Sequence, residues 1–115
     1  MTIGVITSLR TTWAQSLEAA ADAGSGAAKL YLCSGSKPPT PGSTDETAQR
    51  VISYTCSDPF GTVSNGVLTV SAIAALAAGS TTTITWARLR DSSGNFVADF
   101  TVTPTGGGGD LTMDN

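Results

Sequence analysis

The chain has 115 residues, a net charge of −3, two cysteines and no histidine; 13% of it is charged, and 13 Gly, 18 Thr and 13 Ser run among short apolar stretches. That length suits one ordinary domain with a single modest core. Six Lys and Arg residues in all argue against a nucleic-acid footprint, and the lack of histidine leaves little for acid–base, nucleophilic or metal chemistry.

Met1 to Thr7 lacks the charged start and apolar core of a signal peptide, and no apolar run approaches about 18 residues. A soluble product made in the cytosol, with no membrane partner, is therefore expected.

Leu9, Trp13, Leu17 and Ala20 or Ala21 recur at helical spacing, which predicts one α-helix over 7–24. Thr7 or Ser8 is placed to cap its start, and Gly24-Ser25-Gly26 to stop it. Trp13 sits mid-stripe, which predicts that it is buried on a sheet or against another subunit. Lys29-Leu30-Tyr31-Leu32-Cys33 then reads as a short strand. Pro38, Pro39 and Pro41 make 34–43 a loop.

Thr47 to Cys56 alternates Ile52, Tyr54 and Cys56 against Val51, Ser53 and Thr55, a half-buried strand. Asp58-Pro59-Phe60-Gly61 is a turn, and Asn65-Gly66 is a hairpin signal leading into Val67-Leu68-Thr69-Val70. Ala-rich 71–79 is open to a short helix with Ile73 and Leu76 on one face. Thr81 to Arg90 and Phe96 to Thr103 form a hairpin closed by Asp91-Ser92-Ser93-Gly94-Asn95. The run Gly106 to Gly109 predicts a flexible segment over 104–115 that is loose or held by partners.

The expected architecture is mainly β: a single domain over 1–115, a β-sandwich or jelly-roll-like body over 29–103 with one N-terminal helix. Asp45 and Glu46 read as solvated loop acids rather than a catalytic pair. Arg88 and Arg90 share one strand side and read as a solvated or interface-facing pair. Cys33 and Cys56 read as small buried hydrophobes. No catalytic, cofactor or metal site is expected; were an oxygen-ligand site present, Asp45, Glu46, Asp110 and Asp114 would be its candidates.

The large contact areas of indole, and a strand passing from apolar to cationic along one side, make Trp13, Trp86, Arg88 and Arg90 interface candidates, with core packing the other reading of both tryptophans. Leu111 and Met113 join them, as residues for burial on a neighbour. A platform of Tyr31, Tyr54 and Trp86 for carbohydrate stacking is the alternative use of the aromatics.

The succession of helix, Leu-Tyr-Leu strand, Pro-rich loop, Ser57-Asp58-Pro59-Phe60-Gly61, Ser64-Asn65-Gly66-Val67-Leu68-Thr69, Thr85-Trp86-Ala87-Arg88-Leu89-Arg90-Asp91 and Asp110-Leu111-Thr112-Met113-Asp114-Asn115 resembles a group of small tailed-bacteriophage virion structural proteins. The resemblance spans most of the chain through turn and strand motifs. It implies a non-enzymatic capsid cement or decoration protein on the outer surface of the phage head. The major capsid protein would be its partner, and self-association, a trimer by preference, would accompany it. A tail, baseplate or fibre-associated β protein is the alternative within the virion. Related chains run on into one more strand where this one ends, which implies a sheet completed by a neighbour.

Overall fold

The computed structural model describes residues 4–73, 83–104 and 106–113. These residues form α1 (Thr7–Ala21), β1 (Lys29–Cys33), a 3₁₀ turn (Thr47–Gln49), β2 (Arg50–Thr55), β3 (Gly61–Ser64), β4 (Val67–Val70), β5 (Trp86–Arg90), β6 (Phe96–Pro104) and β7 (Leu111–Met113). The protein is mainly β. One sheet has five strands in the order β2-β1-β5-β6-β7, and the other is the β3-β4 hairpin. Pairing is antiparallel except between β6 and β7.

The period-two alternation of β1, β2 and β5 divides the large sheet into two unlike faces. Register places Leu30 beside Tyr54 and Leu89, and Leu32 beside Ile52 and Ala87, on one apolar face. The other face carries Tyr31 beside Ser53 and Arg88, with Asp99 across from Arg88. The hairpin and α1 lie over the apolar face, where Phe60, Ala21, Ala28, Cys56 and Leu89 form one buried cluster. Leu32, Ile52, Ala87 and Val102 form a second.

The helix stops at Ala21, short of Gly24. Asp22 caps it, its N–H bonding Glu18 O at 3.0 Å while its carboxylate accepts the Phe60 N–H at 2.7 Å. Neither Thr7 nor Ser8 caps the start: Ile6 holds that place without a side-chain bond, and Thr7 Oγ1 accepts from Arg10 instead. β2 begins at Arg50 and not at Thr47, because the Asp45 carboxylate accepts both the N–H and the hydroxyl of Thr47 and winds 47–49 into a turn. The Asn65-Gly66 turn is as its sequence demands, with φ of 52° and 79°. The proposed helix over 71–79 falls largely outside the described residues; Ser71 to Ile73 are not helical.

The expected flexible tail is a further departure. Leu111–Met113 pairs in parallel with Val102–Pro104 of its own chain. The glycines make the tight double reversal that returns the chain to β6. Gly106 and Gly108 have φ of +90° and +80°, and a Cβ on Gly107 would lie 2.7 Å from the Thr103 side chain. Asp110 closes the loop, its N–H donating to Thr101 Oγ1 and its carboxylate accepting the Thr101 N–H. Glycine-rich sequence here is a packed turn and not a linker. Among the described residues no helix is long and apolar enough to cross a membrane.

Candidate functional site

The polar face of the large sheet carries a buried ionic cluster. Trp86, Arg88 and Arg90 of β5 share that side, and the loop that follows β1 folds over them. Glu46 is wholly buried and accepts hydrogen bonds from Arg50, Arg88 and Arg90. Arg88, also at 0% exposure, donates to both oxygens of Asp99 at 2.7 and 3.0 Å and to Thr44 O. Asp99 in turn accepts the Gly42 N–H at 3.1 Å, and Trp86 Nε1 donates to Ser34 O at 3.0 Å. Arg50 stacks on the Tyr31 ring at 3.7 Å.

Electrostatics follow from this packing. Burial by itself would raise the Glu46 carboxyl, but hydrogen bonds from Arg90, Arg50 and Arg88 outweigh it and hold the group well below the usual carboxylate range. Asp99 is lowered in the same way: burial opposes, and Arg88 and the Gly42 N–H prevail. Burial pushes the Cys33 thiol up to about 11 and raises Cys56 as well, so both free thiols stay protonated and poorly nucleophilic at neutral pH. Each charged group here is spent on another of the same chain. The cluster's work is to pin the Pro-rich loop across the sheet.

Four sequence expectations are corrected by this arrangement. Glu46 is not solvated; its neighbour Asp45 is. Arg88 is an interior ion-pair partner with no surface to offer, while the Arg90 side chain keeps 20% exposure. Trp86 is packed at 0% exposure, so of its two sequence readings the core one stands and the interface one is corrected. Tyr31, Tyr54 and Trp86 make no common stacking platform, since Tyr54 lies on the opposite sheet face and Arg50 covers Tyr31. Three arginines spaced across β2 and β5 around one loop glutamate was a pattern that pairwise spacing could not reveal, because the loop acid lies 42 residues from Arg88.

The apolar side presents the opposite situation. The helix meets the hairpin at the Gly66 turn, beside Arg10 and Thr11, and buries Ala21 in the core cluster. The Gly66 N–H donates to Thr11 Oγ1 at 2.8 Å, and a Cβ on Gly66 would stand 2.9 Å from Arg10 Cβ. The large apolar stripe is left at the rim. Trp13 is 55% exposed, with Ile6 and Leu9 also in water. The sequence expectation that Trp13 is covered by its own sheet is thus corrected.

Next on the stripe, Leu17 enters an open cleft of about 300 Å³ between the helix, the hairpin and the large sheet. Leu30, Leu89, Phe100 and Leu111 floor the cleft, and Leu68 and Val70 of β4 line its side. Leu111 is therefore drawn to this side as part of the chain's own cleft wall. The Met113 backbone lies in β7, and its side chain and all of Asp114 are outside the described residues. Among the described residues no cluster of three metal-ligating acids or thiols occurs. No family model, curated protein or solved structure matches the chain.

Proposed function

We propose that this chain is a non-enzymatic structural protein of a phage particle, a cement or decoration protein that seats its helix side on the outer surface of the head. The observation that carries the reading is the row Ile6, Leu9 and Trp13, apolar and in water, continuous through Leu17 with an apolar cleft. A lone globular domain gains by covering such a surface, and Trp is the side chain that most often anchors an interface. The ionic cluster beneath the Pro-rich loop supports the same reading, since it uses the chain's charges for internal stiffness.

In this reading the five-stranded sheet and the hairpin act as the unequal layers of a β-sandwich, and the helix rides at the joint. A protein that binds the assembled shell and not its free subunits stabilises the shell by mass action. The major capsid protein is the partner, and self-association, with a trimer favoured, is part of the proposal.

The test is co-sedimentation of the chain with undecorated shells of the phage that encodes it. Wild type should pellet with shells, and Trp13→Ala should bind at least about 30-fold more weakly, a loss of ~2 kcal/mol. Absence from heads together with recovery in tail fractions would replace this reading with the tail or baseplate one.

A further inference from the structure

We propose that Asn65 is a site of spontaneous covalent modification, losing its side-chain amide as ammonia, and that the docking of α1 on the hairpin turn sets the rate. The inference does not rest on the shell reading.

Asn65-Gly66 is the one Asn-Gly step in the chain. Glycine has no Cβ to shield its main-chain nitrogen, so that nitrogen has access to the carbonyl carbon of the asparagine side chain before it. Gly66 N gives its proton to hydroxide and bonds to Asn65 Cγ. The Cγ–Nδ2 bond breaks, and Nδ2 takes a proton from water and leaves as ammonia. Water then opens the cyclic imide. Opening at Cγ gives aspartate with the main chain unchanged. Opening at the main-chain carbonyl carbon gives isoaspartate, whose chain runs through Cγ and is longer by one methylene. Either product adds one negative charge.

The fold leaves the amide in water and guards the nucleophile. Asn65 is exposed at the tip of the β3-β4 turn. The Gly66 N–H donates to Thr11 Oγ1 at 2.8 Å, and a Cβ on Gly66 would stand 2.9 Å from Arg10 Cβ. With α1 docked, the proton that must leave is held on a hydroxyl and covered by the helix. The guard lies 55 residues away in sequence, and the reaction runs through molecules in which this contact has opened. Asn95 differs: it precedes Phe96, and its Nδ2 donates to Asp91 Oδ2 at 3.1 Å.

The guarding contact sits at the weakly held end of the helix. Ile6 caps α1 without a side-chain bond, Ile6, Leu9 and Trp13 stand in water, and the buried residue Ala21 is at the other end. Few buried apolar contacts make local opening inexpensive. The products then diverge. Asp-Gly suits the same left-handed turn as Asn-Gly, whereas the longer isoaspartyl chain does not fit a two-residue turn with φ of 52° and 79°. Isoaspartate at 65 therefore leaves α1 loose, and the step is one-way.

The folded protein is held at mildly alkaline pH beside urea-unfolded chain, and peptides spanning 65 and 66 are followed by mass spectrometry. Ammonia release and a mixture of aspartate and isoaspartate at 65 are expected, more slowly than in the unfolded chain. Thr11→Val removes the acceptor while keeping the side chain's shape, and should speed the folded reaction at least fivefold. Hydrogen exchange at the Gly66 N–H should quicken with it. Thr11→Ser keeps the acceptor and should match wild type. If Thr11→Val fails to fold, Thr11→Ala, a better helix former, makes the same comparison. The isoaspartyl fraction, separated by anion exchange, should lose amide protection along α1, and Asn65→Asp should keep it. Conversion absent from wild type and acceptor-free variant alike, a folded rate equal to the unfolded one, or a rate indifferent to loss of the Thr11 hydroxyl would overturn the proposal.

Discussion

Replacing Glu46 by Gln probes the ionic cluster most directly. Three guanidinium groups face two carboxylates there, one positive charge in excess, and the variant raises the excess to two. Arg88 keeps its two-pronged bond to Asp99, so it is not stranded. What is lost is one fully buried charged hydrogen bond, worth about 1.5–3 kcal/mol, and two pairs whose arginines are 29% and 20% exposed, which solvent screens in part to about 1 kcal/mol or less each. The expected destabilisation is about 3 kcal/mol, roughly 10–15 °C in melting temperature for a domain of this size. Urea denaturation followed by tryptophan fluorescence measures it, since Trp86 lies 5.1 Å from the Arg88 guanidinium.

The pH dependence gives a second readout of the same perturbation. The folded Glu46 carboxyl is held below its ordinary value of 4.5, so its contribution is fully present above that pH and is lost as pH falls toward the folded value. Wild-type stability should therefore decline below about pH 4.5, and Glu46→Gln should flatten that decline, leaving the part due to Asp99, which is also lowered. A loss under ~1 kcal/mol with an unchanged acid slope would refute the claim that Glu46 pins the loop.

Trp13→Ala should change folding stability by less than ~1 kcal/mol in urea titration while weakening assembly, because its ring is mostly in water. Leu89→Ala, in the middle of the core, should cost ~3 kcal/mol by the same titration. Gly107→Ala should strip hydrogen-exchange protection from Leu111 to Met113 while sparing β5, since its Cβ would collide with Thr103. Cys33 and Cys56 should react with a thiol reagent only as fast as the protein unfolds, and rapid modification of the native state would show that one of the two sites opens locally.

Local physics made much of this fold readable from the chain. A helix with a four-residue apolar stripe, the Asn65-Gly66 turn, the alternation of Ile52, Tyr54 and Cys56, and the hairpin closed by Asp91 to Asn95 each depend on neighbours within a few residues. All four stand in the structure. Where the reading failed, the deciding contact came from far along the chain. Glu46 looked like a loop acid because its partners Arg88 and Arg90 arrive only when β5 pairs with β1.

Trp13 looked like a core anchor because the stripe is real. Which helix face is covered depends on where the Gly66 turn approaches, and it meets the helix beside Thr7, Arg10 and Thr11. The glycine run looked loose because composition records freedom and not contacts. Thr101 and Thr103, on the neighbouring strand, supply the bonds that order it. Periodicity and turn chemistry thus determined the elements by themselves, whereas tertiary structure alone decided which charges are buried and which apolar face is left exposed, because both depend on burial by segments distant in sequence.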